Sequence, residues 1–212
     1  MAYSFNGTTQ YLSVPDNSNL DVTGALTIRC IAKPNATINV EGYFIGKWTG
    51  ATNQRSYALG IYLNKIYAIV TSLGTSASAV DVQGSTLIGT SQNDFAMVFT
   101  PSTSLQVFLN GASEATNTTS IPASIFNSTS PLTIGYIPIT YFPGTIAEVG
   151  IWNAALTAAE IASLAKGMTP DKIRPQNLVF YAPLVRNLQD TKGGLTITNN
   201  NGATVATHPR VY

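Results

Sequence analysis

The run YALGIYLNKIYAIV (57–70) limits what this chain can fold into more than any other stretch. Tyr57, Leu59, Ile61 and Leu63 alternate with Ala58, Gly60 and Tyr62, a period of two that suits a strand and not a helix. The pattern restarts after Asn64–Lys65, so the run predicts two strands joined at that pair. FAMVFTPSTSLQVFLNG (95–111) repeats the device. Phe95, Met97 and Phe99 are followed by a Pro-Ser-Thr-Ser turn and by Leu105, Val107 and Leu109, and Asn110–Gly111 tolerates the positive φ of a tight hairpin. In LTIRCIAK, Leu26, Ile28 and Cys30 face one way, with Thr27, Arg29 and Lys33 on or near the other side. PLTIGYI and GTIAEVGIW complete the series. Strand–turn–strand spacing of this kind predicts an all-β fold, a two-sheet antiparallel sandwich.

One segment breaks the period. After Trp152, Thr157 and Glu160 have the spacing of a capping box, with Leu156 and Ile161 placed as a hydrophobic staple. Ile161, Leu164 and Ala165 recur on one face, Gly167 offers a stop, and Pro170 prevents resumption. A single short helix near 157–166 follows, with an apolar stripe wide enough to cover an edge of the sandwich. Residues 167–212 hold one strand run, LVFYAPL, and a Gly- and Asn-rich hairpin, too little to bury a core alone. They are expected to add strands to the same sandwich, making 1–212 one domain with its core in 3–166.

Composition narrows the function. Charged residues are 10% of the chain, against about 25% in an average soluble protein. Neutral Ser, Thr and Asn replace them, which leaves little charge for solubility and suits a surface covered in an assembly. The net charge is +1 and the eleven Lys and Arg are scattered, so nucleic acid is not an expected partner. A single cysteine, Cys30, excludes an internal disulfide and reads as a buried structural thiol. Strand-like MAYSFNGTTQYLSV starts without a basic, apolar leader, so the fold is expected to begin near Met1 without a secretory signal. The longest uncharged run, between Glu114 and Glu148, is broken by four prolines and cannot insert in a membrane as a span.

Taken in order, FNGTTQYLSVPDNSNLDVTGALTIRCIAKP, SYALGIY, LQVFLNGA, PLTIG and FPGTIAEVGIWNAALTAAEIASL resemble the laminin-G-like jelly rolls of the concanavalin A-like lectin/glucanase superfamily. The resemblance covers roughly residues 3–166, and the GTIAEVGIW…LTAAEI run is its most specific part. NLVFYAPLVRNLQD with the hairpin after it resembles the segment that usually precedes the first strand of such domains, which implies a circular permutation. Where the pattern usually has a tryptophan, this chain has Phe95. The loops, and GMTPDKIRPQNLVFYAPLVRNL, are also similar to laminin-G-like virion proteins of tailed phages.

The superfamily includes glycoside hydrolases, which need two carboxylates about 5–5.5 Å apart when configuration is retained. No two of the ten acids here are closer than five positions, and Glu148 has only Ala, Val, Gly and Ile around it in sequence. A same-strand pair is absent, which leaves only a pair assembled from distant strands. His208, the only histidine, stands four residues from the C-terminus and reads as a solvated or packing residue. With one His and one Cys no zinc site is expected. The chain is therefore expected not to be an enzyme and to hold no cofactor, and a structural calcium would have to come from carbonyls and Asn side chains.

Neutral hydroxyls and amides beside a stacking aromatic suit sugar. Trp48 with Asn53, Gln54 and Arg55, in the 47–56 loop, is the first candidate glycan or partner site. Tyr136 and Tyr141, flanking the YIPITYFPG loop, are the second, while Trp152 reads as core. The expected function is a non-enzymatic phage virion surface or structural protein: a head decoration, fibre or tail-tip component made in the host cytoplasm. Its expected partners are other virion proteins or copies of itself, and a host-surface glycan bound by weak multivalent adhesion. A free carbohydrate-binding lectin is the alternative, and a glycoside hydrolase with a dispersed acid pair the third reading.

Overall fold

Each alternating run becomes a strand because one face of it meets a second sheet. The computed structural model describes residues 2–138 and 140–212, so the expected start at Met1, and Ile139 of the Tyr136–Gly144 loop, lie outside the described residues. In chain order the strands are β1 (Ala2–Asn6), β2 (Tyr11–Val14), β3 (Leu26–Pro34), β4 (Glu41–Thr49), β5 (Gln54–Tyr62), β6 (Lys65–Thr71) and β7 (Ala79–Gln83). There follow β8 (Asn93–Thr100), β9 (Ser104–Leu109), β10 (Ala112–Asn117), β11 (Leu132–Ile134), β12 (Tyr136–Ile137), β13 (Thr140–Tyr141) and β14 (Pro143–Trp152). Helix α1 (Ala158–Ala165) precedes β15 (Leu178–Ala182), β16 (Thr198–Asn200) and β17 (Thr204–Ala206).

One antiparallel sheet runs β10-β9-β8-β3-β14-β1-β17, with β15 also paired to β14; the other runs β16-β2-β11-β4-β5-β6-β7. The C-terminal segment thus joins the same sandwich, as the sequence predicts, and its last strands pair beside the first, β17 on β1 and β16 on β2. Between the sheets lie Leu12, Ile28, Cys30, Tyr57, Leu59, Met97 and Val107, all fully buried. Phe95 fills this core, its ring 4.5 Å from that of Phe44.

Two expectations need correction. The turn after β5 falls on Leu63–Asn64, with φ of 49° and 61°, one residue earlier than the sequence suggests. The Val40 and Ile38 carbonyls capture the two turn amides at 2.9 Å each, and Leu63 leaves the core face for solvent. The helix matches its expected bounds and capping box, with Thr157 N donating to Glu160 Oε2 at 2.7 Å. It covers a sheet face, however, and not an edge. The outward residues Ala96, Val98, Phe108 and Trp152 are apolar, and Ile161 and Leu164 of α1 close over them with Ile173, Leu178 and Tyr181. Trp152 Nε1 donates to the Ile173 carbonyl at 2.8 Å, so this tryptophan belongs to a second core. We call the eight-stranded sheet the covered sheet and the seven-stranded one the open sheet.

Candidate functional site

The acids fall into place first, because they decide what chemistry is available. On the outer side of the covered sheet Arg29 is fully buried. Its Nε donates to Asp94 Oδ2 at 2.8 Å and Nη2 contacts the same oxygen; Nη1 reaches the Glu148 carbonyl at 3.3 Å and Nη2 the Leu164 carbonyl at 3.2 Å. The last contact sets a cation on the C-terminal turn of α1, where the helix dipole favours it. Glu148 sits at a bulge between β14 and β3 with φ of 54°. Its carboxylate accepts from the Tyr181 hydroxyl at 2.7 Å and meets His208 Nε2 at 2.9 Å. The histidine therefore docks the C-terminal tail on its own sandwich, and Tyr212 N donates to the Gly167 carbonyl at 2.6 Å to finish the strap. Glu148, apolar-flanked in sequence, is thus surrounded by polar groups in space.

At one end of the sandwich Lys47, also fully buried, holds a second set of acids. Its Nζ lies 2.6 Å from Asp16 Oδ1 and 3.2 Å from Asp21 Oδ1, and it donates to the Ser128 carbonyl. The β2–β3 connection, β4 and the long segment before β11 are joined there by one ammonium. Asp94 and Glu148, from distant strands, both approach Arg29, but only the Asp94 carboxylate meets the guanidinium while that of Glu148 turns to Tyr181 and His208; Asp16 and Asp21, both in the β2–β3 connection, close on Lys47. The hollow beside Asp94 is about 180 Å³, and among the described residues Glu148 does not line it. No group of three or more His, Cys, Asp or Glu fit to hold a metal ion occurs among the described residues.

The open sheet presents the other surface. Outward positions of β2 and β4–β6 carry Tyr11, Tyr43, Trp48, Ala58, Gly60, Tyr62, Tyr67 and Ile69. The β12–β13 ribbon lies across this face, and Gly46 makes room for it: a Cβ there would stand 2.6 Å from Ile137 Cγ2. Tyr136 and Tyr141 are register partners in the ribbon, their rings 4.5 Å apart. Tyr11 completes a trio at 4.7 Å from Tyr136 and 6.2 Å from Tyr141. Beside it stand Thr140 of the ribbon and Asn200, the register partner of Tyr11, whose Nδ2 donates to Ser13 Oγ at 2.9 Å, all uncharged, while Thr133 is buried with its hydroxyl donated to the Gly46 and Tyr136 carbonyls. Partial burial, with the Tyr136 and Tyr11 phenols beside it, raises the Tyr141 hydroxyl above its ordinary pKa. The group stays a hydrogen-bond donor throughout neutral pH.

The sequence-predicted site residues separate into two sets. Trp48 lies half-buried on the open face against Tyr43, Ala58 and Ile137. The expected 47–56 loop is a strand hairpin, because Trp48 and Thr49 of β4 pair with Arg55 and Gln54 of β5 and leave only residues 50–53 as the turn; Arg55 Nη1 donates to Asn53 Oδ1 at 2.9 Å, and Gln54 Oε1 accepts from Thr129 N at 2.8 Å. Tyr136 and Tyr141 come together with Tyr11, which the sequence reading missed. The signal was present, since Leu12 and Val14 point to the core and their alternates Tyr11 and Ser13 must point out.

The fold and this layout define a jelly-roll module, and the chain belongs to the concanavalin A-like lectin/glucanases superfamily, whose model matches residues 6–162. Among solved structures it is similar to a Bacteroides ovatus protein assigned as carbohydrate-binding, at 16% identity and a TM-score of 0.70. That match covers 98% of this chain and 61% of the other, so the chain spans under two thirds of that protein. It is similar to the native heptameric SAP-like pentraxin of Limulus polyphemus, with 15% identity, TM-score 0.62, and 94% and 95% of the two chains covered. The carbohydrate-binding module CBM40 of the Ruminococcus gnavus IT-sialidase, solved with α2,3-sialyllactose, gives 16% identity and TM-score 0.61 over 77% of this chain and 96% of that one. No curated protein sequence matches the chain.

Proposed function

We propose that this chain is a non-catalytic glycan-binding jelly roll, displayed in many copies on a phage virion as a head decoration, fibre or tail-tip component. One observation carries the glycan reading: Tyr11, Tyr136 and Tyr141 form a ring cluster on the open sheet, surrounded by neutral hydroxyl and amide side chains. Aromatic faces take the C–H face of a pyranose, and nearby neutral donors and acceptors take its hydroxyls. Relatives in fold whose structures are described as carbohydrate-binding support the reading. Hydrolysis is disfavoured because a general acid and its partner must face a cleft together, whereas Asp16 and Asp21 face Lys47, Asp94 pairs with Arg29, and the Glu148 carboxylate is buried against Tyr181 and His208. The reading needs no calcium, since an ammonium already sits among the oxygens of the Asp16–Asp21 junction.

The virion setting is supported by the low charge of the chain, 10% of residues, which suits a surface closed off by neighbouring copies or other virion proteins. A shallow cluster of this kind binds weakly, and display in many copies turns weak sites into useful avidity. A glycan array probed with the protein coupled to beads, followed by titration of the strongest hit, tests the reading. Binding lost in Tyr11→Ala with Tyr136→Ala, while the melting curve is kept, is the expected result; wild-type protein that binds no glycan on the beads refutes it. The mass in solution, and co-purification with capsid proteins, separate a virion subunit from a freely diffusing lectin.

A further inference from the structure

Beyond the ribbon, the open face carries a second aromatic patch of different electrostatic character. Tyr43 and Tyr67, on β4 and β6, are both register partners of Gly60 between them. Since residue 60 has no side chain, the two rings meet over it edge to face, with centroids 6.4 Å apart. Tyr62 adds a third ring, 5.3 Å from Tyr67. Exposed carboxylates stand on two sides. Glu41 is the register partner of Tyr62, and Asp81 is that of Ile69. Lys65, also paired with Tyr62, is the one cation on this part of the face among the described residues, so the patch carries one net negative charge. Burial raises the Tyr67 and Tyr43 phenols above their ordinary pKa values, and the Asp81 and Glu41 carboxylates push both in the same direction.

A negative field over aromatic faces attracts cations and repels anions. Resting on the glycan reading above, we infer that this patch is a subsite for amine-bearing sugars: the half-buried Tyr62 and Tyr67 rings, backed by the buried Tyr43, take protonated amines of a deacetylated amino-sugar oligomer beside Glu41 and beside Asp81. Uronic and sialic acids are disfavoured on it. The tyrosine trio, which has no charged neighbour on its own strands, takes the uncharged parts of the same chain.

The test titrates the whole protein with glucosamine oligomers and with their N-acetylated counterparts of equal length. A mildly acidic buffer of low ionic strength keeps the amines protonated and the carboxylates ionised. The amine form is expected to bind about two- to fivefold more tightly, the scale of a cation over exposed aromatic rings. Added salt is expected to erode the preference. Glu41→Gln with Asp81→Asn is expected to remove it and to leave the affinity for the acetylated oligomer unchanged. Both positions are exposed, and a melting curve confirms that the variant folds. Equal affinities, or a preference that survives in the double variant, overturn this inference and leave the glycan reading in place. No binding of either oligomer to wild-type protein overturns this inference, and the glycan reading falls with it only when the array shows no bound glycan.

Discussion

Replacing Arg29 by methionine tests how the covered sheet is held to its helix and tail. The wild-type guanidinium is fully buried and serves Asp94, the Glu148 carbonyl and the Leu164 carbonyl at once. Methionine keeps much of the volume and removes every donor, leaving Asp94 buried and uncompensated. Breaking a buried pair from one side costs about 3–5 kcal/mol. For a chain of 150–250 residues each kcal/mol moves the midpoint by about 2–4 °C, so the melting temperature should fall by roughly 6–20 °C. Arg29→Met with Asp94→Leu removes both charges, and exchange of a buried pair for apolar groups is close to neutral, so the double variant should recover most of the loss. Calorimetry and urea unfolding of four proteins, the wild type, Arg29→Met, Asp94→Leu and the double variant, give the coupling directly. A single-variant loss below about 1 kcal/mol, or strictly additive losses, would refute the claim that the pair closes this face.

Three further outcomes are expected. Gly46→Ala places a methyl 2.6 Å from Ile137 Cγ2, an atom fixed to a branched Cβ; it should lift the β12–β13 ribbon and weaken glycan binding severalfold while thermal stability changes by about 1–3 kcal/mol. At Glu160 partial burial pushes the carboxyl up, but the Arg174 guanidinium and the Thr157 amide and hydroxyl outweigh it and hold the group below its ordinary range. Its contribution is then complete above the unfolded value of about 4.3 and fades as pH falls through the lower folded value. Acid unfolding curves should show Glu160→Gln converging on wild type at low pH. Lys47→Met leaves the partly exposed Asp16 and Asp21 without their cation and the Ser128 carbonyl without its donor, and should cost about 1–3 kcal/mol by urea unfolding, with the Asp16→Asn and Asp21→Asn background restoring part of it.

How much of this was legible follows from where each side chain's partner lies in the chain. The core between the sheets was readable because β5, β8 and β9 alternate, and alternation alone tells which residues turn inward. The second core was harder: β3 and β14 are buried on both faces, and such strands lose the contrast that reports orientation. The helix was readable from its cap, but its landing place was not, because that depends on Ala96, Val98 and Phe108 pointing outward from strands far upstream. Arg29 looked like an ordinary outward residue; its acid lies 65 positions away, and local sequence carries no sign of that pairing. Lys47 and Asp16 are separated by 31 positions, with the same consequence.

The two sheets therefore present contrasting outer surfaces, and the contrast bears on function. Arg29 pairs with Asp94, and Glu148 with Tyr181 and His208, beneath the helix and tail; Asp94 Oδ1 is left without a partner, so the hollow beside it meets one carboxylate and, among the described residues, no second acid. On the open sheet the small residues at 46, 58 and 60 keep the strand surface low, and rings from β2, β4, β5, β6 and the ribbon stand above it. A low floor with raised rings suits an extended sugar chain better than an enclosed small molecule, because contact area can grow along the face while each subsite remains shallow. Oligomer length should therefore strengthen binding stepwise, and a plateau after one sugar ring would place recognition at the tyrosine trio alone.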